Sequence, residues 1–162
     1  EDAAEGEVCE PANDNGGGQI VISGNAAAID RAIALAQERG AKRALPLSVS
    51  APFHCRLMQP AADRMAEALA DAEILVPRVP VVTNVTAGPT SDPAEIRERL
   101  VRQVTGQVRW RESIEWLAAN GVNSLVEIGS GKVLTGLARR IDRSLEGRAI
   151  GTADDVRAFT AG

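Results

Sequence analysis

One histidine, two cysteines and no tyrosine occur among the 162 residues. So few imidazole and thiol groups exclude a zinc centre built from Cys and His. Cys9 and Cys55 show no regular spacing, which argues against a disulfide scaffold and for a reduced, cytoplasmic setting. No apolar run approaches the roughly 18 residues of a membrane span, and no basic-then-apolar leader opens the chain. A concentrated basic face is not expected either: the formal net charge is -4 and the sequence pI near 5.1. Nucleic acid is therefore not the expected partner, because phosphate neutralisation needs clustered cations.

What is present is a chain with 44% hydrophobic residues, long enough for one ordinary domain or two small ones with a real core. The single histidine, His54, follows Ser50-Ala51-Pro52-Phe53. Pro52 disfavours helix at Ala51, while Pro60 suits the first turn of a following helix. The histidine is thus expected on a strand-to-helix connection, where functional side chains gather. Imidazole is the side chain best suited to proton transfer near neutral pH, so any acid-base chemistry falls to His54. The alternative is a satisfied ring packed under a loop.

The pattern predicts alternating elements. Val8 to Ala12 and Gln19 to Ser23 read as strands around the turn Asn13-Asp14-Asn15-Gly16-Gly17-Gly18. Asn25 is placed to cap a helix with Ile29, Ile33 and Ala36 inward and Asp30, Arg31, Gln37 and Glu38 outward, ending at Gly40. Lys42 to Val49 reads as a strand. Together these resemble the tail of a βαββαβ unit whose first strand and most of whose first helix are missing. The opening residues accordingly read as the frayed end of a helix. A helix from about Leu57 to Asp71 follows, with Leu57, Ala61, Met65, Leu69 and Ala72 on one face.

Pro77 to Thr83 reads as a short strand and Asn84 to Thr90 as a loop. Asp92-Pro93-Ala94-Glu95 is a helix start with Glu95 reaching back to the cap; Ile96, Leu100, Val101 and Val104 form its buried stripe, and Gln103 falls in its last turn. Trp110 to Asn120 is a further helix, with Trp110, Ile114 and Leu117 inward. Val122 to Ile128 reads as a buried strand leading through Gly129-Ser130-Gly131 into a helix with Val133, Leu134, Leu137 and Ile141 inward. A short strand at Arg148 to Gly151 and a helix after Asp154 complete an α/β pattern.

Three motifs fail. The Gly129-Ser130-Gly131-Lys132 turn lacks the earlier glycine of a P-loop, where Val126 stands, and the following Ser or Thr, where Val133 stands. It also lacks the third glycine of a dinucleotide fingerprint, Leu134 occupying that place. No serine has the glycines of a nucleophile elbow, and the paired carboxylates sit on solvated helix faces. A self-sufficient hydrolase using Cys55 or a serine is therefore disfavoured.

Five colinear stretches carry a resemblance: Val8 to Gly24, Ala41 to Cys55, Leu57 to Ala62, Leu100 to Trp110, and Val126 to Leu137. They resemble the C-terminal half of bacterial malonyl-CoA:acyl carrier protein transacylases. That resemblance implies a partial ferredoxin-like (βαββαβ) small subdomain over residues 1–49, then the C-terminal part of an α/β-hydrolase-like acyltransferase subdomain over 50–162, with the active site between them. It implies ping-pong transfer of malonyl from coenzyme A, through a serine ester, to the phosphopantetheine thiol of an acyl carrier protein in fatty acid biosynthesis. The coenzyme A thioester is then a substrate, and no separate cofactor is needed.

Carried over by position, His54 matches the catalytic base and Gln103 the residue whose backbone carbonyl orients it. Asn13 and Asn15 match residues lining the cleft, although a turn also accounts for them. Phe53 accompanies malonyl selection in related acyltransferase domains. Arg139 and Arg140 match a segment that docks the acidic carrier protein, or are simply cations favoured near a helix C-terminus. The elbow serine, the oxyanion-hole groups and the arginine that grips the malonyl carboxylate would all lie upstream of Glu1. The expectation is a fragment that is inactive alone, since losing oxyanion donors by itself costs about 10²–10³ in rate. The alternative is a non-catalytic module that binds carrier protein.

Overall fold

A computed structural model describes residues 1–161. Strands β1 (Cys9–Asp14) and β2 (Ile20–Gly24) form an antiparallel hairpin, followed by helix α1 (Ala26–Glu38). Gly24 faces the backbone of Val8 so closely that a Cβ there would lie 1.9 Å from the Val8 carbonyl oxygen. Only glycine fits. At the hairpin tip, Gly16 combines a φ of 74° with contact on Ile141, whose Cγ1 would sit 2.4 Å from a Cβ.

Asn25 occupies the N-cap position of α1, but its side chain makes no cap bond there; Oδ1 instead accepts the Val8 N–H at 2.8 Å. Arg31, expected to point outward, is half-buried and donates to the carbonyls of Ala3 and Ala4 while pairing with Glu7. Those carbonyls lie in turns, so a multi-donor guanidinium satisfies them better than water alone.

The segment expected to be a strand, Lys42 to Val49, forms no ladder. A strand needs a neighbour to receive its backbone bonds, and none lies beside it among the described residues. Leu45, Leu47 and Val49, at a period of two, are 56%, 60% and 62% exposed. A single turn of 3-10 helix (Arg56–Met58) then enters α2 (Gln59–Ala70), with Pro60 in its first turn. The helix buries only Ala62, and the expected face is open at Leu57 and Met65.

The stretch after Pro77 is mostly irregular, and its strand is shorter than expected. Strand β3 (Val81–Thr83) pairs antiparallel with β4 (Gly88–Thr90), inside the expected loop. Helix α3 (Pro93–Thr105) starts as read, Asp92 accepting the Ala94 N–H at 2.8 Å. Glu95 does not reach back to the cap; it pairs with Arg99 one turn on, a charge-assisted bond the cap's backbone cannot match. Of the expected stripe, Ile96 is buried while Leu100 is exposed.

Helix α4 (Trp110–Ala119) places Ile114 at 0% exposure in a core with Ala138 and Leu145, against which Trp110, Leu117, Leu125 and Ile141 pack. Burying one such side chain is worth about 1.5–3 kcal/mol. Strand β5 (Ser124–Ile128) runs parallel to β6 (Glu146–Ile150) across helix α5 (Val133–Ile141); α6 (Ala153–Thr160) closes the described chain with a Thr152/Asp155 capping box.

The strand read as buried is not. Val126 and Ile128 are 40% and 83% exposed, and Val133 and Leu134 are open too. A parallel pair is normally covered on both faces, so this edge of the molecule is an uncovered sheet surface. Among the described residues the architecture is mixed α/β, with three two-stranded sheets. No helix among the described residues is long and apolar enough to cross a membrane.

Candidate functional site

The connection that carries His54 is held from three sides. Behind it, the Cys55 side chain is fully buried and its thiol donates to the Pro52 carbonyl at 3.2 Å. Beside it, Glu10 of β1 accepts the Arg56 N–H at 3.0 Å and pairs with the Arg56 guanidinium at 3.2 Å. In front of it lies the end of α3. Cys55 thus serves as packing, its thiol engaged by the Pro52 carbonyl.

His54 has a φ of 61°, one of three non-glycine residues in the left-handed region among the described residues. That conformation costs an L-residue about 1–2 kcal/mol, and such strain persists where the surroundings over-determine it. Here the ring is anchored: Nδ1 lies 2.9 Å from the Gln103 backbone oxygen. A carbonyl can only accept, so Nδ1 carries the proton and Nε2 presents its lone pair. The half-buried ring is thereby an oriented proton acceptor, not a ring sealed under a loop.

Gln103 can accept this bond because α3 ends beside it. Arg102 still gives its carbonyl to the Gly106 N–H, but at Gly106 the chain turns extended, with φ -93° and ψ 154°. The next carbonyl, that of Gln103, has lost its helical donor and is one of the orphans every helix end leaves. The imidazole fills that vacancy. On its side-chain end, Gln103 accepts from Asn84 Nδ2 at 3.1 Å. Asn84, in the turn between β3 and β4, was not singled out from the sequence.

The hairpin comes to the same place. Asp14 N–H donates to the Val108 carbonyl, and Val108 N–H donates to Ala12, so β1 is stitched to the segment after Gln103. Asp14 also accepts the Gly16 N–H at 3.1 Å and pairs with Arg111. The turn is therefore tied down by Asp14. The side chains of Asn13 and Asn15, both half-buried, bond no other protein group among the described residues. Phe53 is 46% exposed beside His54.

Arg139 and Arg140 lie elsewhere, in the last turn of α5, both exposed and without an ion pair among the described residues. With Arg143 and Gly136 they line a shallow groove of about 430 Å³. Arg143 was missed because it falls beyond the helix, and only the fold turns it into this row. At the other end of α5, Glu127 accepts the N–H groups of Leu134 and Thr135 and the Thr135 hydroxyl. These bonds, the Thr135 N–H foremost, hold its carboxyl below the ordinary carboxylate range. The helix N-terminus is thus filled by the protein's own carboxylate, in keeping with the missing phosphate motif.

No group of three side chains that could hold a metal ion occurs among the described residues. No family model matches the chain. Curated relatives do: the malonyl CoA-acyl carrier protein transacylase of Salmonella typhimurium is 51% identical over 150 residues, 93% of this chain and 48% of the relative. Among solved structures, an acyl-carrier-protein-S-malonyltransferase from Bartonella henselae aligns with a TM-score of 0.91 and 57% identity, covering 98% of this chain and 51% of that one. A malonyl-transacylase solved in complex with its type II PKS acyl-carrier protein aligns with a TM-score of 0.91 and 44% identity, over 99% of this chain and 52% of that one. The chain is homologous to these transacylases and spans about half the length of the curated relatives it matches.

Proposed function

Starting from that shared half, we propose that this chain is the part of a malonyl-CoA:acyl carrier protein malonyltransferase that bears the catalytic base. Residues 1–49 would be the remainder of the small ferredoxin-like subdomain, and 50–162 the C-terminal portion of the acyltransferase subdomain. The observation that carries the reading is the His54 ring held on the Gln103 carbonyl with Nε2 left as acceptor. In a transfer of this kind the base takes the proton of a serine hydroxyl as the malonyl thioester is attacked, and returns it to the departing coenzyme A thiolate. It then takes the proton of the phosphopantetheine thiol, and the serine oxygen recovers it when the new thioester forms.

A neutral carbonyl in the orienting role fixes the ring without adding a buried charge beside it, which suits a reaction that must run in both directions between thiols of similar strength. Asn13, Asn15 and Phe53 would line the cleft, and the row Arg139, Arg140 and Arg143 would meet the acidic carrier protein. The open surfaces at Leu45 to Val49 and at β5 support a chain whose counterpart half covers them. By itself, the chain offers no elbow serine and is expected to be inert.

The test is a chimera in which this chain replaces the matching half of the Salmonella typhimurium transacylase. We expect a malonylated protein by intact mass and transfer to carrier protein, with His54→Ala lowering transfer about 10³-fold or more. A folded chimera that transfers malonyl equally well after His54→Ala would refute the reading. The rival, a non-catalytic carrier-protein-binding module, predicts salt-sensitive carrier binding to this chain and a chimera without transfer.

A further inference from the structure

A backbone carbonyl can be supplied by any residue, so the bond to His54 does not explain a glutamine at position 103. Its side chain does. We propose that Asn84 is a positioning residue of this site, acting through Gln103: the amide of Asn84 holds Gln103 Oε1 and so fixes the carbonyl against which the His54 ring is set. This assignment rests on the reading of His54 as the base.

The last turn of a helix frays readily, and the Gln103 carbonyl has no helical donor to steady it. The Asn84 Nδ2–Gln103 Oε1 bond of 3.1 Å therefore supplies a second tether, so that Gln103 is held at both its backbone and its side-chain end. Asn84 in turn stands on a rigid base. Its carbonyl accepts the Arg109 N–H at 3.1 Å, and the turn around it is closed by Ala87 N–H to the Thr83 carbonyl at 2.9 Å. The Thr83 and Thr86 hydroxyls meet at 2.8 Å, and Arg99 of α3 donates to Thr86 at 3.2 Å. The β3–β4 turn is thus bolted to α3 at two points, one turn of helix apart, and the second of these is the residue that orients the histidine. Loss of the Asn84 amide leaves the Gln103 carbonyl free to swing with the helix end, and the ring then populates the other tautomer.

Two readouts test this. In the 162-residue chain His54 is the only histidine, so its ring ¹⁵N resonances are read without overlap. The parent is expected to show the Nδ1-protonated tautomer, and Asn84→Ala and Gln103→Met each a mixture with the Nε2-protonated form. In the chimera, each single variant is expected to lower kcat roughly ten-fold with KM for malonyl-CoA unchanged. The double variant should be no worse than the weaker single, and the exchange Asn84→Gln with Gln103→Asn, which keeps both amides and their summed length, should recover most of kcat. An unchanged tautomer in both variants overturns the proposal, as do losses that multiply in the double variant. Gln103→Met retains the side-chain stem and serves if Asn84→Ala fails to fold. Should His54→Ala leave transfer intact, the base reading falls, while the ¹⁵N measurement still decides whether Asn84 sets the ring.

Discussion

The left-handed backbone at His54 can be weighed by replacing the residue twice, with alanine and with glycine. Both substitutions remove the imidazole and its bond to Gln103, worth about 1 kcal/mol, so that loss cancels between them. They differ in the Cβ. At a φ of 61° a Cβ crowds the following carbonyl and costs about 1–2 kcal/mol, which alanine retains and glycine escapes. Against this, glycine gives the unfolded chain more freedom, worth roughly 0.5–1 kcal/mol. The glycine variant should therefore be the more stable by about 0.5–1 kcal/mol, against the usual order of the two residues. Urea denaturation of both chimeras reads the difference. With a slope of about 2 kcal/mol per molar, the midpoints should lie roughly 0.25–0.5 M apart. Both variants should be inactive, separating the cost of the backbone from the use of the ring. An alanine variant more stable than the glycine one by about 0.5–1 kcal/mol, the ordinary order of the two residues, would mean that no strain is stored at this residue.

Other consequences are accessible by simple means. Gly24→Ala puts a Cβ on the Val8 carbonyl, where neither backbone can yield, and should cost at least about 2 kcal/mol by chemical denaturation, with loss of the β1–β2 hairpin. Ile114→Ala empties the centre of the core and should cost about 2–5 kcal/mol in a melting experiment. Because the folded Glu127 carboxyl titrates below its ordinary value of 4.5, its contribution is complete above that pH and fades as the pH falls through the lower folded value. Glu127→Gln should remove that part of the acid limb of a stability-against-pH curve and leave the neutral-pH side flat. Arg139→Glu with Arg140→Glu should raise the chimera's KM for carrier protein about ten-fold without changing that for malonyl-CoA, and the effect should shrink with added salt.

The helices were legible because each carries its own signals: Asp92 and Pro93 open α3, Gly121 with a φ of 84° follows α4, and Gly40 with a φ of 88° follows α1. Such signals act within one turn, and local sequence contains them. The strands were read less well for the opposite reason. Lys42 to Val49 has the alternation of a strand but nothing to pair with, whereas Gly88–Thr90 pairs although glycine and proline disfavour it. Pairing is decided by what lies alongside, and no window of sequence contains that. Burial failed in the same way at Val126 and Ile128, apolar residues that nothing among the described residues covers.

The sequence by itself determined the chemistry on offer. One imidazole, preceded by Pro52 and followed by Pro60, was the sole candidate for a base, and no phosphate cradle or elbow serine competed with it. The resemblance named the Gln103 carbonyl as the ring's partner, but only the tertiary structure brings that carbonyl against the ring and sets Asn84 behind it, from 49 and 30 residues away in the chain. An orphan carbonyl finds its donor, and an amide its acceptor, only when the end of α3 and the β3–β4 turn have been brought against the histidine by packing.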